Sequence, residues 1–379
     1  MRLLSVSVRD FRNIEAADLT PAERATVVVG PNGQGKTNLL EALYLLSTLR
    51  PLRTNKFVDL VRFGAERARV EGRFALQGAE RTIAVECNRD GREAYVDGKV
   101  VRALADYFGG VSVVAFTPDD LAVLKGGPEG RRKLLDRAVF NRFPSHLEAA
   151  RDYQRALKQR NRLLKEGAPF ELVDAHNEAL AKTGARVIVR RRMLVDELAP
   201  RADASFQAIA KGDGALGLRY KPDVIPEEVL RDEARTFEAL LELVRRRTAL
   251  DLERGFTSAG PHTDDLEVEL GDRPAKGFAS QGQQRAIVLA LKIGEIENLR
   301  ESAGVPPMLL LDDVSSELDP ARNAYLMEYL RACGLQVFLT TTDERLVADA
   351  AGPGSAAFTV AVGKFSLRPP DSARTDPGS

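Results

Sequence analysis

The stretch Gly30-Pro31-Asn32-Gly33-Gln34-Gly35-Lys36-Thr37 has the spacing G-x-x-x-x-G-K-T. Glycines at these places let backbone N–H groups turn inward around phosphate oxygens. Lys36 would reach the β- and γ-phosphates, and the Thr37 hydroxyl would ligate Mg²⁺. The flanks suit that chemistry. Ala25-Thr26-Val27-Val28-Val29 reads as a short buried strand, and residues 38–46 read as a helix whose positive N-terminal end faces the same phosphates. Strand, glycine loop and helix together predict a nucleoside triphosphate site.

A second chemical element is Met308-Leu309-Leu310-Leu311-Asp312-Asp313, an apolar run ending in two carboxylates. In a P-loop ATPase such a strand lies in the same parallel sheet, and its first acid supports Mg²⁺ opposite the lysine and threonine. Asp312 is the expected metal-supporting carboxylate, and Asp313 is placed to polarise the attacking water. Taken alone, the pair reads equally well as an acidic turn after a strand. Ser280-Gln281-Gly282-Gln283-Gln284-Arg285 stands just before a helical stretch, where Ser280 by itself reads as an N-cap. Asp319-Pro320 likewise reads as an N-cap with a first-turn proline. The apolar run 336–340 ends in Thr340-Thr341-Thr342-Asp343, which offers a hydroxyl from Thr341 or Thr342.

These residues need elements to hold them. Strand patterns fall at 3–11, 26–29, 67–75, 82–88, 94–101 and 111–116, with the Asp97-Gly98 signal of a tight hairpin. From 119 to 265 the texture turns charged and helix-forming. Ser145-His146-Leu147-Glu148 reads as a capping box opening a helix to about 165, and further helices are expected near 172–197, 201–211 and 226–253. Strand and helix alternate again beyond 266. The predicted architecture is α/β: a P-loop NTPase head with mixed sheets, built from 1–118 and 266–367, interrupted by a helical lobe at 119–265. A disordered tail is expected at 368–379.

The 379 residues are 44% apolar and 29% charged, an ordinary globular balance. No apolar run reaches membrane-spanning length, no secretory signal opens the chain, and Cys87 and Cys333 lack metal-ligand spacing, so a cytoplasmic protein is expected. The 55 basic and 55 acidic residues balance, which excludes a uniformly basic coat but not a local basic face. The absence of tryptophan disfavours single-strand binding by extensive stacking. Basic clusters occur at 131–133, at Lys158, Arg160, Arg162 and Lys165, at 190–192 and at 245–247. Each reads either as a phosphate-contacting face or as a solvated helix surface.

Order along the chain sharpens the class. Small GTPases and nucleotide kinases keep their phosphate loop and acidic strand close in sequence, whereas Lys36 and Asp312 are separated by most of this chain. The segment 280–285 resembles the S-x-G-x-Q signature of ABC-type ATPases, and Ser315-Ser316-Glu317-Leu318-Asp319 resembles their S-x-L-D segment. Val8-Arg9-Asp10-Phe11-Arg12-Asn13 resembles the opening strand of SMC/Rad50-like heads. With Phe116-Thr117-Pro118-Asp119-Asp120-Leu121, Gln159-Arg160-Asn161 and Gly260-Pro261-His262-Thr263-Asp264-Asp265-Leu266, nearly the whole chain is similar to the RecF family of bacterial recombination-repair ATPases.

That resemblance implies an SMC-type head without a long coiled coil. It implies ATP and Mg²⁺ as ligands, an ATP-dependent homodimer, binding to double-stranded DNA and its junctions with single strands, and slow hydrolysis. It also implies work with RecR and RecO in loading RecA at gapped DNA, in a nucleoid-associated setting without a membrane. Arg12 and Asn13 would lie near the nucleotide, and Ser280, Gly282 and Gln283 would cap the γ-phosphate held by a second copy. Thr341 would stand where most ABC ATPases place a histidine. The pair Asp312-Asp313 replaces the usual Asp-Glu, which implies a shorter base, and no glutamine follows Phe116. His262 is open between a site role and loop packing. The competing classes are an energising subunit of a transporter and an ATP-gated scaffold with negligible turnover.

Overall fold

Helix α1 (Lys36–Thr48) is buried from Leu39 to Thr48 around its whole circumference, so it needs apolar layers on both sides. A computed structural model of the chain supplies them. It describes residues 1–54, 56–76, 78–102, 107, 111–210, 214–222, 224–303, 306–343 and 354–369, apart from the side chains at 303, 315 and 316. The predicted tail lies almost wholly outside these residues. Two compact units result, Met1–Pro118 with Ala303–Ser379, and Asp119–Ser302.

In the first unit, α1 touches both of two six-stranded sheets. The first is antiparallel, in the order β2 (Ile14–Leu19), β1 (Arg2–Phe11), β4 (Ala68–Leu76), β5 (Ala79–Cys87), β6 (Arg92–Val96) and β7 (Lys99–Val100). Asp97 and Gly98 join β6 to β7 at φ 50° and 76°, the two positive values that a two-residue hairpin of this hand requires. The strand β2 carried no clear sequence signal, because its buried residues, Ile14, Ala17 and Leu19, do not alternate regularly.

The second sheet has the order β15 (Lys364–Arg368), β14 (Ser355–Ala361), β3 (Ala25–Val29), β13 (Val337–Thr341), β12 (Met308–Asp312) and β8 (Val113–Phe116). All its strands except β15 run parallel, and β3, β13, β12 and β8 are nearly continuous apolar runs because both faces are covered. Register decides what meets at the carboxyl ends. Thr341 pairs with Val29, and Thr340 with Asp312, so the acidic strand and the start of the glycine loop finish side by side.

The second unit is built on α4 (His146–Lys165), α6 (Asn177–Ile209) and α7 (Glu233–Arg254), with a three-stranded sheet in the order β11 (Arg273–Pro274), β10 (Asp265–Leu270), β9 (Leu216–Lys221). It extends to Ser302, so the helix α9 (Gln281–Ala303) groups with it, whereas the sequence placed the return to the head at 266. Two further expectations are corrected. The helices read at 172–197 and 201–211 form one helix from 177 to 209 that runs through Pro200. A mid-helix proline costs about 3 kcal/mol, but Leu194, Leu198, Ala202 and Phe206 are buried on both sides of it. The capping box at Ser145 does not form. Ser145 has helical torsions and accepts instead from Arg190 Nη2 at 3.0 Å.

The lobe is pinned by a fully buried arginine. Arg160 donates to Asn177 Oδ1 at 2.7 Å, to Asp251 Oδ2 at 2.7 Å and to Thr257 Oγ1 at 2.8 Å. Removing one partner of such a pair strands the other charge. Arg160→Met is expected to lower unfolding stability by about 3–5 kcal/mol in a denaturant titration, and Arg160→Met with Asp251→Leu to lose less. A double variant no better than the single would count against this account.

Candidate nucleotide-binding site

The loop between β3 and α1 is shaped by approach distances. Gly35 has φ 114°, and a side chain there would meet Asn13 Oδ1 at 2.8 Å. At Gly30 a Cβ would meet the Val360 carbonyl oxygen at 2.7 Å. The turn between β14 and β15 grips the loop from outside: the Val362 N–H donates to Gln34 Oε1 at 2.7 Å and the Gly363 N–H to Gln34 O at 2.8 Å. Pro31, Asn32 and Gly33 remain exposed, free to meet a ligand.

A cavity of about 260 Å³ opens beside the loop, lined by Asn32, Gly33, Gly35, Lys36, Thr37, Asn38, Arg53, Pro118, Asp312 and Asp313. A larger concavity on the antiparallel sheet, around Ser7, Glu71 and Arg73, holds none of these groups. Lys36 Nζ donates to Gly30 O at 2.6 Å and Pro31 O at 3.0 Å, folded onto its own loop. Burial pulls its pKa below the ordinary lysine value, against the opposing pull of Asp313 and Asp312. The Thr37 hydroxyl donates to Asp312 Oδ1 at 2.8 Å.

Thr340 is the residue that sequence reasoning missed here. Its hydroxyl donates to Asp312 Oδ1 at 2.9 Å and accepts from the Asp313 N–H at 3.0 Å, so it ties the acidic pair to the next strand. The expected hydroxyl, that of Thr341, instead accepts from the Asp343 N–H at 2.9 Å, and Thr342 is exposed. Alternation along β13 forces this: neighbouring residues face opposite sides of the sheet. Asp313 itself sits at φ 50°, the left-handed region that aspartate and asparagine tolerate best after glycine.

The fully buried Glu41 was also missed. Its carboxylate accepts from Arg12 Nε at 3.0 Å, Arg53 Nη2 at 2.9 Å and the Arg53 N–H at 3.2 Å. Burial opposes its charge, but the two guanidinium groups win and hold it below the usual glutamate range. Asn38 Nδ2 donates to Asn13 Oδ1 at 2.7 Å, and Arg53 to Asn38 Oδ1 at 2.6 Å. Arg12 and Asn13 therefore belong to a polar wall backed by α1. Position 41 falls one turn after Thr37 and is the one charged residue in the apolar run 39–46, which was the available signal.

The remaining expected site residues lie in the second unit. Ser280 Oγ accepts from the Gln283 N–H at 3.2 Å, and Gln283 Oε1 from the Ser280 N–H at 2.8 Å, a reciprocal cap at the start of α9. Gly282 lies within its first turn and is half-buried. His262 packs a loop, with Nδ1 against Tyr153 Oη at 2.5 Å and Nε2 against Thr257 O at 3.0 Å, and burial lowers its pKa. Several basic residues prove structural. Arg131 is buried against Asp265, Arg191 is buried and bidentate to Asp136, and Arg160 is buried as described.

A parallel sheet that brings a phosphate loop and an acidic pair to one edge is the arrangement of P-loop ATPases, ABC- and SMC-type heads among them. The family model described as the RecF/RecN/SMC N-terminal domain matches residues 2–361, and the chain belongs to that class. Within the class it belongs to the RecF family of DNA replication and repair proteins. It is 56% identical over 371 residues to the DNA replication and repair protein RecF of Myxococcus xanthus (strain DK1622), covering 97% of this chain and 98% of that one. It is 52% identical over 372 residues to RecF of Anaeromyxobacter dehalogenans (strain 2CP-1 / ATCC BAA-258), covering 97% and 99%. The solved structure of the recombination mediator protein RecF with ATPrS, in the RecFOR pathway, superposes with a TM-score of 0.88 at 31% identity, covering 97% of this chain and 98% of that one. An SMC head bound to the C-terminal winged helix of ScpA shares the fold, at a TM-score of 0.55 and 14% identity over 97% of each chain.

Proposed function

We propose that this chain is an ATP-gated, DNA-binding dimer of recombinational repair that hydrolyses ATP slowly and uses it as a switch. The observation that supports this best is the meeting of Lys36, Thr37, Asp312 and Asp313 at one cavity. Solved RecF structures with ATP and with ATPrS support the same ligand.

Loop amides around Gly33 and Gly35 bind phosphate oxygens, and Lys36 exchanges its loop carbonyls for the β- and γ-phosphates. The donor set fits Mg²⁺: Thr37 and Asp312 give one hydroxyl and one carboxylate in contact, and no cluster of three His, Cys, Asp or Glu exists among the described residues. That is the sparse protein share Mg²⁺ takes beside phosphates and water. When bound, the ion neutralises phosphate charge. Thr340 keeps Asp312 in place, and Asp313 orients the water. Ser280, Gly282 and Gln283 of a second copy close the site, so the γ-phosphate favours the dimer and its loss releases it. RecR and RecO, and RecA loading at gapped DNA, complete this reading.

Sizing chromatography and duplex-DNA binding should both respond to nucleotide. ATP is expected to convert monomer to dimer and to tighten DNA binding at least ~10-fold relative to ADP, an effect of about 1.4 kcal/mol. Dimerisation and DNA affinity that ignore ATP would overturn the proposal.

A further inference from the structure

On α4, five cations fall at positions 151, 155, 158, 162 and 165, and all five are exposed. The spacing alternates four and three residues, so Arg151, Arg155, Lys158, Arg162 and Lys165 share one face of the helix. The opposite face carries Tyr153, Ala156, Leu157, Arg160 and Leu164, all buried. The helix is thereby fixed in rotation, and the stripe cannot turn inward. Its acids, Glu148 and Asp152 within the helix and Glu166 just after it, lie at the margin of this face. Asp152 approaches Arg155 at 3.4 Å and Glu166 meets Arg162 at 2.8 Å, both exposed pairs of the kind that contributes little. Arg151, Lys158 and Lys165 take part in no ion pair among the described residues.

From 151 to 165 the helix rises about 21 Å, at about 1.5 Å per residue. Duplex DNA presents one negative charge per about 1.7 Å of axis, so a row this long spans roughly twelve phosphates, more than enough to partner all five cations. No aromatic side chain is exposed on this helix, since Tyr153 is buried, which leaves no platform for stacking unpaired bases. We infer that the solvent face of α4 is a contact surface for the phosphate backbone of duplex DNA, read without regard to sequence. The inference rests on the DNA-binding reading above and adds the place of contact. It also separates Arg160 from its sequence neighbours, since that residue serves the core and not the ligand.

The test uses the full chain with ATP and a fluorescent duplex, titrated across salt concentrations. The triple variant Arg151→Glu, Lys158→Glu, Lys165→Glu is expected to weaken DNA binding at least ~30-fold. It should also flatten the slope of log K against log salt by about 2.7 for each copy in contact with the duplex, at about 0.9 per phosphate contact. The variant Arg151→Lys, Lys158→Arg, Lys165→Arg should retain the slope of the unmodified chain. An unchanged slope in the charge-reversed variant would overturn the inference, as would loss of its ATP-dependent dimer, which would assign the effect to assembly. Normal DNA binding with lost binding to polyglutamate would also overturn it, in favour of an acidic protein partner. If the unmodified chain binds no duplex in any nucleotide state, the function proposed above fails first, and the place of contact with it.

Discussion

Lys36→Met is expected to weaken ATP binding by ~100-fold or more and to abolish ATP-dependent dimerisation. Two contacts set the size. The ammonium group is the one positive side chain held within the phosphate loop, donating to Gly30 O and Pro31 O. Hydrogen bonds to charged groups are worth about 1.5–3 kcal/mol each, so losing phosphate contacts of this kind accounts for two decades of affinity. The fold should survive. Methionine keeps the length of the side chain, and Pro31 and Asn32 are exposed, so water can replace the lost donor at the loop. Calorimetric titration with ATP, alongside a denaturant curve, checks both halves. Unaltered ATP affinity in a folded variant would remove Lys36 from the site.

Asp313→Asn is expected to leave ATP binding intact, to slow hydrolysis by ~100-fold or more, and to trap the ATP-bound dimer on DNA. Loss of a positioned base costs about 10²–10⁴ in rate. The substitution is chosen for its backbone: position 313 has φ 50°, and asparagine occupies that region as readily as aspartate. The main chain there is held independently of the carboxylate, by the 313 N–H donating to Thr340 Oγ1 at 3.0 Å. The pair Thr37–Asp312 is untouched by the change. Single-turnover hydrolysis and sizing in ATP measure the outcome. A variant that hydrolyses at the unmodified rate would shift the role of base away from Asp313.

The two variants act on residues that differ in how visible they were. The phosphate loop is a local object: its glycines, lysine and threonine lie within eight consecutive positions, and backbone geometry ties them together. The strand Met308–Asp312 was equally plain, because a run buried on both faces has no polar interruption until the acids. Helix phase was legible but unused. Arg160 and Arg191 lie in line with the buried residues of their helices, at 153, 157 and 164 and at 184, 188 and 195. As members of basic clusters they suggest surface charge, whereas their helix phase places them in the core. Pro200 misled in the opposite way, since tertiary packing outweighs a single local penalty. Ser145 matched a capping pattern but took another partner in space.

By itself the sequence determined the motifs of this protein: a G-x-x-x-x-G-K-T loop after a strand, two acids at a strand end, a serine before a helix, and the class that their order defines. Those features are set by spacing over a few residues, where covalent geometry leaves little choice. Only the tertiary structure decided which groups support them. Thr340 reaches Asp312 because two parallel strands pair in one register. Glu41 gathers Arg12 and Arg53 because α1 lies between two sheets. The cations of α4 divide into one buried arginine and an exposed stripe because the lobe fixes the rotation of that helix. Register, layering and rotation are long-range outcomes of burying apolar area, and no short stretch of sequence contains them.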